Sequence, residues 1–249
     1  MTSSTDDFRY VSAPIIEAVV ELRYPDVSLE KIRRCSDVLS NHYDNRVEEN
    51  QIEGNLDFSK RSAKFRDLPP KIKLTSSDQV DAFTITINNA TWTRLAPYEN
   101  WTNFFLRIKN DLPKFLKSLG HPPISRIGMR YINRIDFPMQ DGVGYHEDYL
   151  KYQLVTSPIL DPNNGFTWTL QKDFTDLDLT AVVKSATVKP EIPGYGAVLF
   201  DIDVSRLEIS GSKYEAIIDA LCDMRQLKNK IFEDGISEKA RMLFNETHS

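Results

Sequence analysis

Apolar residues recur at every second position near the start of the chain, where Ile16, Ala18, Val20, Leu22 and Tyr24 share one side and Glu17, Glu21 and Arg23 the other. A period of two is the signature of a strand with one buried face. Residues 125–138, S-R-I-G-M-R-Y-I-N-R-I-D-F-P, repeat the construction. Ile127, Met129, Tyr131, Ile135 and Phe137 face one way, and Arg126, Arg130, Arg134 and Asp136 the other. The same period predicts strands over 15–24, 46–58, 71–75, 82–95, 125–137, 166–172, 179–189 and 197–210.

Helical spacing takes over between them. Leu29, Ile32, Leu39 and Tyr43 form a stripe after a Ser28 cap. Trp101, Phe105, Ile108, Leu112, Phe115 and Leu119 form a second, closed by Gly120 and expected to bend at Pro113. Tyr214, Ile217, Leu221, Met224, Lys228 and Ile231 form the third and longest, ending at Gly235, and a short helix over 237–245 completes the chain.

In order, these elements read strand, helix, three strands, helix, and then strand, short helix, three strands, helix. The expectation is an α+β fold built as a tandem pseudo-repeat, with halves 13–120 and 124–235. Its sheet would be mostly antiparallel and curved, with the long helices on the apolar side. D-G-V-G at 141–144 and D-P-N-N-G at 161–165 are turn signals. No low-complexity linker separates the halves, so a single compact body is expected.

Composition adds limits. With 249 residues, 41% hydrophobic and 27% charged, the chain can build a full core without metal or disulfide support. Cys35 and Cys222 both fall in predicted helices, which suits free thiols in a reducing compartment. The first residues lack a signal-peptide pattern and no apolar run approaches membrane length, so a cytoplasmic protein without a membrane partner is expected. A net charge of -5 argues against broad attraction to nucleic acid.

The opening A-P-I-I-E-A-V-V-E-L-R-Y at 13–24, the central R-Y-I-N-R-I at 130–135 and the ending I-F-E-D-G-I-S-E-K-A-R at 231–241 resemble a sporadically distributed family of uncharacterised prokaryotic proteins of about this length. The resemblance runs end to end and implies no activity or catalytic residue. Patchy distribution implies an accessory, conditional role, with defence against phage or mobile elements one form of it.

The charged strand faces are the leading candidate site. Glu17, Glu21, Arg23, Arg126, Arg130 and Arg134 would either form a cross-strand ladder or line a groove in which arginine forks hold a phosphate or carboxylate. Val19, Glu21 and Arg23 distantly echo the charge alternation of triphosphate tunnel enzymes, but Val19 stands where that pattern needs an acid. Asp201 and Asp203, with Glu21, would be the oxygen ligands of a magnesium ion, although D-x-D on a strand is a common chance pattern. A solvated or salt-bridged edge is the expected state of these acids.

Lys60, Arg61, Lys64, Arg66, Lys71 and Lys73, with Phe58 and Phe65, make the best nucleic-acid candidate. Pro69 and Pro70 make the same stretch read as an exposed connection. His42, His121, His146 and His248 share no metal-ligand spacing, and no phosphate-loop, dinucleotide or nucleophile-turn motif is present. No catalytic residue, metal or cofactor is therefore assigned. A non-catalytic binding or adaptor role is favoured, with a protein or a small anionic ligand as partner. A phosphate- or nucleotide-handling enzyme on the charged face is the alternative, nucleic-acid binding through 60–73 the next, and the oligomeric state is open.

Overall fold

The computed structural model describes residues 10–57, 59, 61–152, 159, 165–207 and 213–245. The chain runs β1 (Ile15–Arg23), α1 (Leu29–Leu39), β2 (Asn45–Asp57), β3 (Ser62–Thr75), β4 (Asp81–Ile85), β5 (Asn89–Leu95), α2 (Trp101–Leu119), β6 (Arg126–Pro138), β7 (Thr167–Phe174), β8 (Leu179–Val188), β9 (Tyr195–Leu207), α3 (Tyr214–Gly235) and α4 (Glu238–Asn245). The fold is α+β. The strands form one sheet in the order β2-β3-β4-β5-β1-β6-β9-β8-β7, and every neighbouring pair is antiparallel. β2 and β7 are its edges.

Register explains how period two became a two-faced sheet. Leu74, Phe83, Trp92, Val20, Met129, Val204 and Ala181 stand directly across from one another from β3 to β8, and all are buried. One residue along, the facing row reads Lys73, Thr84, Thr91, Glu21, Gly128, Ser205 and Thr180. Each strand from β3 across to β8 thus presents its apolar side to the same core. Ile32, Cys35 and Leu39 of α1, Phe104, Ile108, Leu112 and Phe115 of α2, and Ile217, Leu221 and Met224 of α3 belong to that core too. The opposite face carries the charges.

Local signals set the helix ends. The Ser28 side chain accepts from the Lys31 amide at 3.4 Å, and the Asn100 side chain accepts from the Asn103 amide at 2.8 Å, both N-caps. α2 runs through Pro113 and stops at Gly120, whose φ of 79° is the left-handed cap expected there. Gly235 ends α3 where the spacing placed it, and it has a packing role as well. A Cβ there would come within 2.7 Å of Phe200 Cζ and 2.8 Å of Tyr152 Cε2, so the residue lets α3 approach the sheet.

Two predicted elements need correction. The strand expected over 82–95 is β4 and β5, joined by a turn in which the Thr86 amide donates to the Asn89 carbonyl at 2.8 Å. Ile87 packs against the core from within that turn, which is why the alternation continued through it. The connection expected around Pro69 and Pro70 is part of β3. Glu49 pairs with Lys71 and Gln51 with Leu68, so both prolines oppose Asn50 at a bulge, where a residue without N–H costs no ladder bond. The predicted strand ends at 58 and 208–210, the turn residues 161–164 and Lys60 lie outside the described residues. No helix among the described residues is long and apolar enough to cross a membrane.

Leu221 is fully buried in α3, so Leu221→Ala should lower stability by about 2–5 kcal/mol in a urea or guanidinium melt. A change within the error of the melt would mean that this helix face is not core.

Candidate functional site

β1, β6 and β9 bring most of the predicted charges together at the centre of the open sheet face. Arg130 holds Asp201 in a fork, with Nε donating to Oδ1 at 2.8 Å and Nη2 to Oδ2 at 2.7 Å. Arg134 does the same with Asp136, at 2.8 and 3.0 Å, and adds the Lys189 carbonyl at 3.0 Å and Glu191 at 3.3 Å. Arg126 bonds Glu21 through Nη1 and reaches both oxygens of Asp203 at 3.4 Å. Glu21 also takes Arg23 at 3.1 Å and the Asn89 amide. Glu17 stands opposite Ile132 on the same face.

Gly128 makes the Arg126 contact possible. It stands opposite Glu21, and a Cβ there would collide with the Arg126 guanidinium. The arginine therefore folds over bare backbone to reach the neighbouring strand. Each guanidinium of the row is thus engaged by carboxylates of its own sheet. Hydrogen bonds donated to Asp201 and Asp136 raise the pKa values of Arg130 and Arg134 still further above the usual arginine range. Burial raises the Asp203 pKa, against the opposing pull of Arg126 and Arg130. Among the described residues, no group of three or more His, Cys, Asp or Glu is placed to hold a metal ion.

The basic stretch lies on a ribbon. β3 pairs with β4 only through Ile72–Thr75, so beyond the bulge 51–57 and 62–68 pair only with each other. Two of its described cations meet acids of β2: Arg66 lies 3.1 Å from Glu53, and Lys71 lies 2.9 Å from Glu49. Arg61 sits in the turn at φ 47°. Lys64 pairs with Asn55 through the backbone. On the other side of the ribbon, Ile52 is 67% exposed and Phe65 74% exposed. The Phe65 ring lies against Gly54, its cross-strand partner.

Two polar networks on the helix side were not anticipated. Asp111 of α2 is fully buried and accepts hydrogen bonds from Tyr43 Oη at 3.0 Å and Trp92 Nε1 at 3.1 Å, while His42 Nδ1 lies 2.7 Å away. Those three groups satisfy a carboxylate that would otherwise be costly to bury. His42 Nε2 in turn lies 2.8 Å from Lys114 Nζ. Burial, with nearby Asp111, pushes the Cys35 thiol up to about 12. Nearby, Asp81 of β4 is shared between Arg94 Nη1 at 2.9 Å and Nη1 of Arg107 on α2. The only sequence signal was an aspartate next to Leu112 in an apolar helical stripe.

No protein-family model matches the chain, and no curated protein matches it.

Arg130→Ala should cost about 1 kcal/mol, because Arg130 is half-exposed while its partner Asp201 is buried. Adding Asp201→Asn should recover part of the loss in a double-mutant cycle; strict additivity would show that the fork contributes nothing. Asp203 gives a pH test. Its folded pKa lies above the reference 3.8, so the folded state holds this proton more tightly and loses stability relative to the unfolded chain as pH rises through that window. The stability of Asp203→Asn minus that of wild type should therefore increase from about pH 3.5 to about pH 7 in urea melts. A difference that falls over that range would mean the arginines outweigh burial.

Proposed function

We propose that this chain is a non-catalytic binding protein that holds a protein partner with its β2–β3 ribbon. The observation that carries this reading is the ribbon's two-sided construction beyond the bulge. Ile52 and Phe65 share one side, exposed, with Asp67 opposite Ile52, while Glu53 and Arg66 pair on the other. A two-stranded ribbon is marginally stable by itself in water, and an apolar side on such a ribbon gains most when a partner covers it. The glutamates matched to Arg66 and Lys71 leave less uncompensated charge for a nucleic-acid backbone.

The strand order supports reading the fold as a tandem pseudo-repeat. β1 and β6 are antiparallel neighbours at the centre, β5 and β9 flank them on the outer sides, and each of those leads into a long helix, α2 or α3. Under this correspondence β4 matches β8 and β3 matches β7, which leaves β2 without a counterpart among the described residues. The ribbon is then the addition to a shared scaffold, which suits a specialised contact. A curved sheet belongs to the same reading. A cytoplasmic location rests on the free Cys35 and Cys222, and an accessory, defence-related role on the sequence resemblance alone.

A photo-crosslinking amino acid at position 65, expressed in the native host, should give a discrete adduct with another protein. The same probe at exposed Lys230 should not. Ile52→Ser should remove the adduct and leave the melting free energy within about 0.5 kcal/mol, as expected for an exposed position. A nucleic-acid adduct at position 65, or none, would refute the reading.

A further inference from the structure

We propose that a shallow cavity beside α2 is a binding site for a small phosphate-bearing ligand. It has a volume of about 290 Å³ and is lined by His42, Asn103, Leu106, Arg107 and Asn110. Asn103, Arg107, Asn110 and Lys114 follow one another at intervals of four, three and four along α2, which places them on one stripe. Phe104, Ile108, Asp111 and Phe115 are buried on the other side of the helix. The polar stripe is made of donors, with two amides, a guanidinium and an ammonium.

The nearest acids have their own partners. Asp111 takes Tyr43, Trp92 and His42, and Asp81 lies between Arg94 and Arg107. Glu99 accepts from the Asn103 amide at 2.7 Å and lies 3.4 Å from Arg94. It belongs to the adjoining cavity of about 250 Å³, which shares Asn103 and Arg107. The His42 end therefore has no carboxylate in its lining, in contrast to the arginine row of the sheet.

Arg107 is paired with Asp81 through Nη1 and keeps one donor without an acceptor. Its Nη2 donates to the Thr93 carbonyl at 2.9 Å and its guanidinium lies over the Phe104 ring, 5.3 Å from the centroid. Its Nε is buried with no hydrogen-bond partner, a state that costs free energy until an acceptor arrives. A small turn of the guanidinium toward a bound oxyanion would supply one.

At the other end, buried Asp111 fixes the His42 ring and holds Nε2 beside the Lys114 ammonium. One ammonium hydrogen suffices for that contact and the others are left for a ligand. Asn110 and Arg107 in the lining, with Lys114 one turn beyond it, offer donors to an oxyanion, and a phosphate brings three acceptor oxygens to a carboxylate's two. Leu106, 53% exposed, offers an apolar flank for the rest of the ligand.

The test uses the full chain at constant ionic strength, titrated separately with inorganic phosphate, a nucleoside monophosphate and succinate. Binding is followed through the NMR signals of the Asn103 and Asn110 side-chain amides and the His42 ring. Both phosphate ligands should give saturable shifts, with the monophosphate tighter and succinate at least about tenfold weaker than the monophosphate. Lys114→Ala and Asn110→Ala should each weaken monophosphate binding about tenfold or more, while Lys230→Ala, on α3, should not. Two variants are used so that a folding defect in one leaves the other informative. Absence of saturation with both phosphates, succinate binding as tight as the monophosphate, or unchanged affinity in the folded variants would each overturn the proposal.

Discussion

The antiparallel seam between β1 and β6 is the constraint on which the rest of the sheet depends. It joins segments about a hundred residues apart and aligns Ala18 with Tyr131, Val20 with Met129 and Leu22 with Ile127. A slip of one residue would turn Glu21 toward the core and Val20 toward water. The charged face penalises that slip independently, since Arg126 reaches Glu21 only where Gly128 leaves room. Exposed ion pairs add little net stability, so the ladder is better understood as fixing register, a role that buried and half-buried charges are known to serve elsewhere. β5 and β9 then extend an already aligned template on either side.

Legibility in the sequence followed the range of the interactions involved. β1 and β6 could be read because alternation is local and both strands have one face in the core. β4 and β5 were merged because Ile87 keeps the alternation going through a turn, and its burial is a tertiary fact. Pro69 and Pro70 suggested a connection because nothing local reveals that a bulge opposite Asn50 can hold them. The grouping of Glu21, Arg126, Arg130, Asp201 and Asp203 was foreseeable from strand faces. Which arginine would meet which acid depended on register, and was not. Asp111 was hidden for a similar reason: within α2 it looks like an interruption of the apolar stripe, and its partners Tyr43, His42 and Trp92 come from two other parts of the chain.

The two faces of the molecule handle charge differently. On the sheet, guanidinium and carboxylate groups alternate between strands and largely neutralise one another at short range. On the helix side, Asp111 is enclosed and fully hydrogen-bonded, while α2 turns a row of donors outward. The first arrangement is self-contained. The second leaves donor capacity at the Arg107 Nε and the Lys114 ammonium, which is the physical difference between a surface that closes on itself and one that can accept something from solution.

Trp92 has a consequence of another kind. Its indole is completely buried, yet its N–H reaches Asp111, whose other oxygen meets the half-exposed ring of His42. Two contacts therefore link a deeply enclosed chromophore to the molecular surface. A substitution at His42 is thereby felt in the middle of the sheet through a chain of hydrogen bonds, a route that packing alone does not offer.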